Sequence, residues 1–306
     1  MEVSTLDQHR GRTAQNGHGQ NPAVPAARGR SVSIAWSENP DGRLKAGGKS
    51  LEYACYGPPP GPDAPTLVLL HEGLGSAALW RDFPVRLAAE TGLGVFVWSR
   101  AGYGNSEAVT LPRPPDYMTR EAVETLGPVM DAAGLRDVIL LGHSDGATIA
   151  AIYAGSVSDM RVRGLILMAP HFFTEPQGLE AIRGAGEAFR TGDLRARLAR
   201  WHSDAEMAFN GWHDAWTDPG FATWNVADCI DHWRVPVLAI QGGQDPYGSR
   251  AQIDEIETRI YSPLETLIPA NCGHAPHLEA PDAVLAAVRD FTDRLIRLEK
   301  ADVAPA

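Results

Sequence analysis

One segment constrains this chain more than any other. Val138, Ile139, Leu140 and Leu141 form a short apolar run, and Gly142-His143-Ser144-Asp145-Gly146 follows it. Ala147, Thr148, Ile149, Ala150 and Ala151 come next. A continuous apolar run of this length reads as a strand buried on both faces. The small and apolar residues after it suit a helix packed closely on a sheet. The chain must therefore reverse from strand into helix within a few residues. Glycines at 142 and 146 let the two elements approach without a side-chain clash, while the serine between them takes up the strain. Strand, then G-x-S-x-G, then helix is the setting of a nucleophile elbow. Ser144 is the candidate nucleophile, with a structural turn serine as the alternative.

The rest of the chain fits that setting. Residues 31–36 and 51–56 alternate well enough for two early strands, with a turn at 39–42 between them. Buried-type runs follow at 66–70, 94–98, 138–141, 165–168 and 235–240, with a last one at 265–269. Helical patterns lie at 78–91, 119–133, 145–155 and 281–298. In the last of these, Val284, Leu285, Val288, Phe291 and Leu295 make a stripe of nearly 3.6-residue period. Strands alternating with helices predict an α/β fold, with about eight strands in a mostly parallel sheet covered by helices. The stretch at about 171–232 breaks the alternation. It holds helical patterns at 178–189 and 193–209 and the tryptophans Trp201, Trp212, Trp216 and Trp224, with Trp233 just beyond. A structureless loop of that length would be unusual, so it reads as an inserted helical cap. Its aromatics either line a pocket or hold small helices onto the sheet. Residues 1–30, rich in Gly, Ala, Asn, Gln and Pro, read as a flexible N-terminal leader ahead of a 31–306 body.

A serine hydroxyl is a poor nucleophile near neutral pH and needs a base. Asp245 lies in the turn Gln241–Gly248, after the strand at 235–240, where catalytic groups collect at the carboxyl ends of strands. His274 follows the next strand in Asn271-Cys272-Gly273-His274. The order serine, acid, histidine suits an elbow of this kind. His274 would take the Ser144 proton, and Asp245 would fix its tautomer and stabilise its charged form. His277 competes as base, with a rim or helix-capping role as its alternative. Asp228 and Asp231 compete as acid, although they precede their strand.

Charge on a substrate oxygen needs two donors. The Asp145 amide is one. Gly73 in His71-Glu72-Gly73-Leu74-Gly75-Ser76 is the first choice for the other, and Leu74 the second. His71 reads as bracing that loop, with a second base as the alternative. Glu72 is an unusual charge beside an oxyanion, and must point away, pair, or shape substrate choice. Arg100-Ala101-Gly102-Tyr103-Gly104-Asn105-Ser106 has spaced glycines, but Glu107 stands where G-x-G-x-x-G needs its last glycine, and no Walker lysine follows. It reads as a structural loop in which Arg100 ties neighbouring loops.

Composition removes several other classes. With 27 basic against 38 acidic side chains the chain carries a formal charge of -11, so nucleic acid is not an expected partner. No stretch of 18 apolar residues exists, so no membrane span is expected. The leader lacks the apolar core of a secretory signal, and cytoplasmic location is the default expectation. Cys55, Cys229 and Cys272 are widely spaced, which fits packed thiols rather than disulfides or a zinc site. No metal and no organic cofactor is required.

These residues together resemble the α/β-hydrolase superfamily, specifically its single-domain serine hydrolases with a helical cap. The likeness spans about 31–298. The family's elbow falls on Gly142 to Gly146 and its acid turn on Gly242 to Asp245. Its G-H-x-x-x-x-E-x-P pattern is matched by Gly273, His274, Glu279 and Pro281. Glu72 replaces a usual glycine of its oxyanion loop. Trp98 and Ala101 replace an aspartate and a glycine of its D-x-R-G-x-G-x-S pattern. The resemblance implies an esterase-like hydrolase that cleaves a small or medium carboxylic ester through an acyl-enzyme. Lactone, amide or carbon–carbon hydrolysis, acyl transfer on the same residues, or non-catalytic binding are the alternatives. A small-molecule substrate, uncharged or aromatic, is the expected partner. Oligomeric state is not fixed by these features.

Overall fold

The computed structural model describes residues 34–37 and 42–303. Eight strands form one sheet: β1 (Gly42–Ala46), β2 (Lys49–Tyr56), β3 (Thr66–Leu70), β4 (Val95–Trp98), β5 (Val138–His143), β6 (Val162–Met168), β7 (Val237–Ile240) and β8 (Leu264–Leu267). Their order across the sheet is β1-β2-β4-β3-β5-β6-β7-β8. The two pairings made by β2 are antiparallel, and every pairing from β4 through β8 is parallel. The expected eight-stranded, mostly parallel sheet is therefore present.

Each central strand sends alternate side chains to opposite faces, and both faces are apolar. Val68, Leu140 and Leu165 belong to one core, with Met118, Leu126 and Ile149. Leu67, Leu69, Ile139, Leu141 and Ile166 belong to the other. The helices that cover them are α1 (Phe83–Thr91), α2 (Tyr117–Arg120), α3 (Gly127–Ala132), α4 (Asp145–Ser156), α5 (Pro176–Thr191), α6 (Leu194–Leu198), α7 (Ala205–Thr217), α8 (Ala251–Arg259), α9 (Pro276–Glu279) and α10 (Pro281–Val303). The second core is closed by Phe83 and Leu87 of α1 and by Val284, Val288, Phe291 and Leu295 of α10. That α10 set is the apolar stripe read from the sequence. On α4, every residue from Asp145 to Tyr153 is buried, as its unbroken run of small and apolar residues requires.

Three local expectations need correction. The first strand is Gly42–Ala46, a hairpin partner of β2 across Gly47 and Gly48, both at positive φ. Residues 34–36 are not strand, and 31–33 and 39–41 lie outside the described residues, as does the 1–30 leader. The helix expected over 78–91 is broken at Arg81, whose φ is 54°, between a 3-10 turn (Ala77–Trp80) and α1. The helix expected over 193–209 is two helices, α6 and α7. The break carries His202, whose Nδ1 accepts from the Gly104 amide at 2.9 Å and whose Nε2 donates to the Leu74 carbonyl at 3.0 Å. A helical register would have denied the imidazole those two buried partners.

Helices α5–α7 and two short 3-10 turns (Pro219–Thr223 and Ala227–His232) fill the insertion between β6 and β7. Phe189 of α5 stacks on Phe209 of α7 with ring centres 3.9 Å apart. The tryptophans divide between the two expected roles. Trp233 donates to the Ala151 carbonyl at 2.9 Å and packs on Phe172, tying the insertion's end to α4. Trp212 and Trp216, four apart on α7, line a cavity above Ser144. All three cysteines are buried and free, and burial pushes the thiols of Cys55 and Cys229 up to about 12 and that of Cys272 to about 11. Among the described residues, no helix is long and apolar enough to cross a membrane.

Candidate active site

Ser144 sits between β5 and α4 with φ 53° and ψ −120°, a region that a residue with a side chain rarely enters. The glycines show why the turn needs them. A Cβ on Gly142 would stand 2.4 Å from the Ala147 backbone, and one on Gly146 would stand 2.1 Å from the Leu70 carbonyl oxygen. The Ser144 amide donates to the Met168 carbonyl at 2.9 Å, which pins the elbow to the end of β6.

Asp245 and His274 come from the turns after β7 and β8; His274 reaches Ser144, and Asp245 reaches His274. His274 Nε2 lies 2.9 Å from Ser144 Oγ, and His274 Nδ1 lies 2.7 Å from Asp245 Oδ2. Three groups further hold the Asp245 carboxylate. Gln241 Nε2 donates to Oδ2 at 2.8 Å, while the Tyr247 and Gly248 amides donate to Oδ1 at 2.8 and 3.3 Å. Burial works against ionisation of Asp245, but the His274 contact and the Tyr247 amide outweigh it and hold the carboxyl below its ordinary range. With Nδ1–H turned to a carboxylate, the free Nε2 lone pair faces the serine hydroxyl.

The competitors lie elsewhere. His277 is not among the residues that line the cavity over Ser144. It is buried between Trp80, Phe83 and His143, with ring centres 4.8, 5.4 and 4.8 Å away, and burial lowers its pKa to about 3. Asp231 pairs with Arg259 at 3.0 Å on the surface, and Asp228 shares its 3-10 turn before β7.

Gly73, Leu74 and Asp145 all border the cavity over Ser144. None of their amides donates a hydrogen bond among the described residues. The Trp212 indole lies directly on Gly73, where a Cβ would meet it at 2.3 Å. His71 braces this loop as expected. Its Nε2 accepts from the Arg100 amide at 3.0 Å and its Nδ1 donates to the Glu72 carbonyl at 2.7 Å. Burial keeps His71 neutral, with a pKa well below the usual imidazole range. The Arg100 guanidinium adds bonds to the carbonyls of His71 and Glu72 at 2.6 and 3.0 Å, the tying role read from its sequence position.

Two buried networks were not legible in the motifs. Glu72 pairs with His143: Glu72 Oε2 lies 3.5 Å from His143 Nδ1, and His143 Nε2 donates to the His274 carbonyl at 2.7 Å. Both neighbours are acceptors, so the ring suits them best with a proton on each nitrogen. Burial opposes charge on both partners. Their attraction prevails, raising the His143 pKa and holding Glu72 well below the carboxylate range. The second network concerns the Asp145 side chain. It is fully buried, accepts from the Tyr117 hydroxyl, and has Arg100 Nη2 3.9 Å away. Trp216 Nε1 in turn donates to the Tyr117 oxygen at 2.9 Å. Burial raises the Asp145 pKa despite these partners.

His171 was also missed. It lies just beyond the carboxyl end of β6 and borders the cavity, with ring centres 5.3 Å from Trp216 and 5.8 Å from His274. Burial lowers its pKa to about 3, so it stays neutral. A histidine so close to a parallel strand's carboxyl end was the available signal. The cavity has a volume of about 130 Å³. Among the described residues, no cluster of His, Cys, Asp and Glu is arranged to hold a metal ion.

Residues 67–287 match the model of the alpha/beta hydrolase family, well over half of the chain. The chain belongs to the alpha/beta hydrolase family. This hydrolase is 32% identical over 123 residues to the (lyso)-N-acylphosphatidylethanolamine lipase of Mus musculus, covering 39% of the chain and 35% of the lipase. The chain thus spans about a third of that relative's length. It is 26% identical over 200 residues to the esterase YbfF of Escherichia coli, covering 59% of the chain and 77% of the esterase. Among solved structures, the proline iminopeptidase of Mycobacterium smegmatis superposes with a TM-score of 0.65. That match has 20% identity and covers 84% of this chain and 99% of the other, a likeness of fold.

Proposed function

We propose that this hydrolase cleaves a compact carboxylic ester, with Ser144 as nucleophile, His274 as general base and acid, and Asp245 as the group that orients His274. The observation that carries this reading is the unbroken chain Asp245 Oδ2–His274 Nδ1 and His274 Nε2–Ser144 Oγ, at 2.7 and 2.9 Å, ending on a strained elbow serine. Ser144 Oγ attacks the carbonyl carbon while His274 Nε2 takes its proton. The amides of Gly73 and Asp145 receive the oxyanion. The bond to the leaving oxygen then breaks, and the His274 proton goes to the departing alcohol. Water, deprotonated by His274, releases the acid and regenerates Ser144.

The small cavity and its tryptophan walls favour a compact, uncharged or aromatic group. The lipase and the esterase among the sequence relatives support an ester, and the proline iminopeptidases among them keep an amide as the second reading. No cofactor or metal takes part in the steps above.

Intact-protein mass after fluorophosphonate treatment tests the mechanism without a guessed substrate. One adduct on the wild type and none on Ser144→Ala is the expected result, with ester turnover falling about 10⁴-fold or more in Ser144→Ala and His274→Ala. No adduct on a folded wild type would turn the reading toward a binding protein. An amide or lactone turned over with higher kcat/KM than any ester in a matched panel would reassign the bond.

A further inference from the structure

The cavity over Ser144 is bordered by two polar side chains with hydrogen-bonding capacity left over, Glu72 and His171. Glu72 borders it with 28% of its side chain accessible. Neither Glu72 oxygen accepts a hydrogen bond among the described residues; Oε2 has only the 3.5 Å approach of His143 Nδ1. His171 faces the same space, and its ring nitrogens likewise make no hydrogen bond among the described residues. The surrounding walls are Ile182, Trp212, Trp216 and Tyr247. The His143 ion pair offsets the cost of this charge beside aromatic walls, and the carboxylate keeps accepting capacity on the cavity side. A donor on a bound ligand can use that capacity.

Size and charge narrow the ligand. A volume of about 130 Å³ is close to that of a cavity known to hold one benzene ring. The carboxylate accepts hydrogen bonds and repels anions. Resting on the esterase reading above, we propose that the substrate carries a group of about one ring's size with an N–H or O–H donor, which Glu72 receives. Substrates with a carboxylate at that position are rejected. Glu72 is then a specificity residue, and its place beside Gly73 sets the donor close to the reacting carbonyl. His143 is the positioning partner that keeps the carboxylate ionised and turned inward.

Two matched panels test this. One holds the leaving group fixed as p-nitrophenol and compares benzoyl, hydroxybenzoyl, aminobenzoyl and carboxybenzoyl esters in each ring position. The other holds an acetyl group fixed and places the same substituents on the alcohol's ring. In at least one panel, a donor-bearing ester should exceed its unsubstituted parent in kcat/KM by about 10- to 100-fold, the range of a hydrogen bond to a charged group. Carboxylate-bearing esters should fall below the parent. In Glu72→Gln the donor preference should shrink to about threefold or less, and the penalty on the carboxylate should relax by about tenfold. Wild-type protein that shows no donor preference in either panel overturns the proposal, whether or not the variant folds. So does an unchanged preference in a Glu72→Gln variant that still labels at Ser144. Fluorophosphonate labelling separates the two levels. Labelled protein without the preference removes only the substrate class, whereas unlabelled, inactive protein removes the esterase reading and this one with it.

Discussion

Two glycines around the site look alike in the sequence and differ in what confronts them. At Gly146 an added Cβ meets the backbone oxygens of Leu70 and His71 at 2.1 and 2.6 Å. Neither atom moves without shifting β3, so Gly146→Ala should cost about 2 kcal/mol or more of folding stability. A lowered urea midpoint, with Ser144 labelling lost in step, checks this. At Gly73 the obstacle is the buried Trp212 ring, a side chain rather than backbone, with the cavity beside it. Gly73→Ala should therefore cost less folding stability than Gly146→Ala, about 1 kcal/mol, while kcat/KM drops about tenfold or more, since the displaced indole enters the cavity. Equal stability losses in the two variants would contradict this distinction. The positions of Ser144, Asp245 and His274 were readable because each stands in a turn whose glycines and strand context leave few other uses. The side-chain partners of Glu72 and Asp145 were not. Those pairings join residues far apart in sequence, and no local pattern encodes them.

Among elements, the strands buried on both faces were the most legible, because a continuous apolar run has few other places to go. β1 was not. Its sequence, Gly-Arg-Leu-Lys-Ala, buries only Leu44 and Ala46 and leaves the other face to solvent, so its apolar signal is weak. The α6–α7 break had a local signal in Asp204, whose side chain caps α7 by accepting from the Met207 amide at 2.9 Å, and the long-range bonds of His202 reinforce it. A similar long-range tie joins α2, α4 and α7 through Tyr117, whose hydroxyl receives Trp216 Nε1 and donates to Asp145. Tyr117→Phe removes the hydroxyl and leaves a buried carboxylate oxygen and an indole N–H without it. The expected cost is about 1–3 kcal/mol in chemical denaturation. Trp216 walls the cavity, whereas the Ser144–His274–Asp245 bonds do not involve Tyr117. KM should therefore rise by several-fold while kcat changes less than twofold. A fall in kcat at constant KM would place Asp145, rather than the cavity wall, at the receiving end of the loss.

At the scale of the whole molecule, buried imidazoles set the response to acid. His171 and His277 are held neutral by burial, with pKa values of about 3, against about 6.5 in an unfolded chain. Between these limits the unfolded chain takes up protons that the folded chain refuses. Unfolding free energy therefore falls as pH drops below about 6.5, and the full contribution is present only above it. Going from pH 7 to pH 5, each histidine should remove about 2 kcal/mol. Glu72 and Asp245, whose pKa values are depressed, add losses only at lower pH, below the ordinary carboxylate range. His143 runs the other way: its raised pKa makes its contribution full in acid and lost as pH climbs through the folded value. The formal charge of -11 also shrinks in acid, which eases self-repulsion and by itself would favour the folded chain. Urea midpoints measured at pH 5 and pH 7.5 separate these effects. Wild type should be the weaker at pH 5, and His277→Leu, similar in bulk and unable to protonate, should lose about 2 kcal/mol less over that interval. Parallel curves for the two proteins would mean that the ring between Trp80 and Phe83 is not kept neutral by its burial, and the acid loss would then have to come from the other buried imidazoles, His71, His171 and His202.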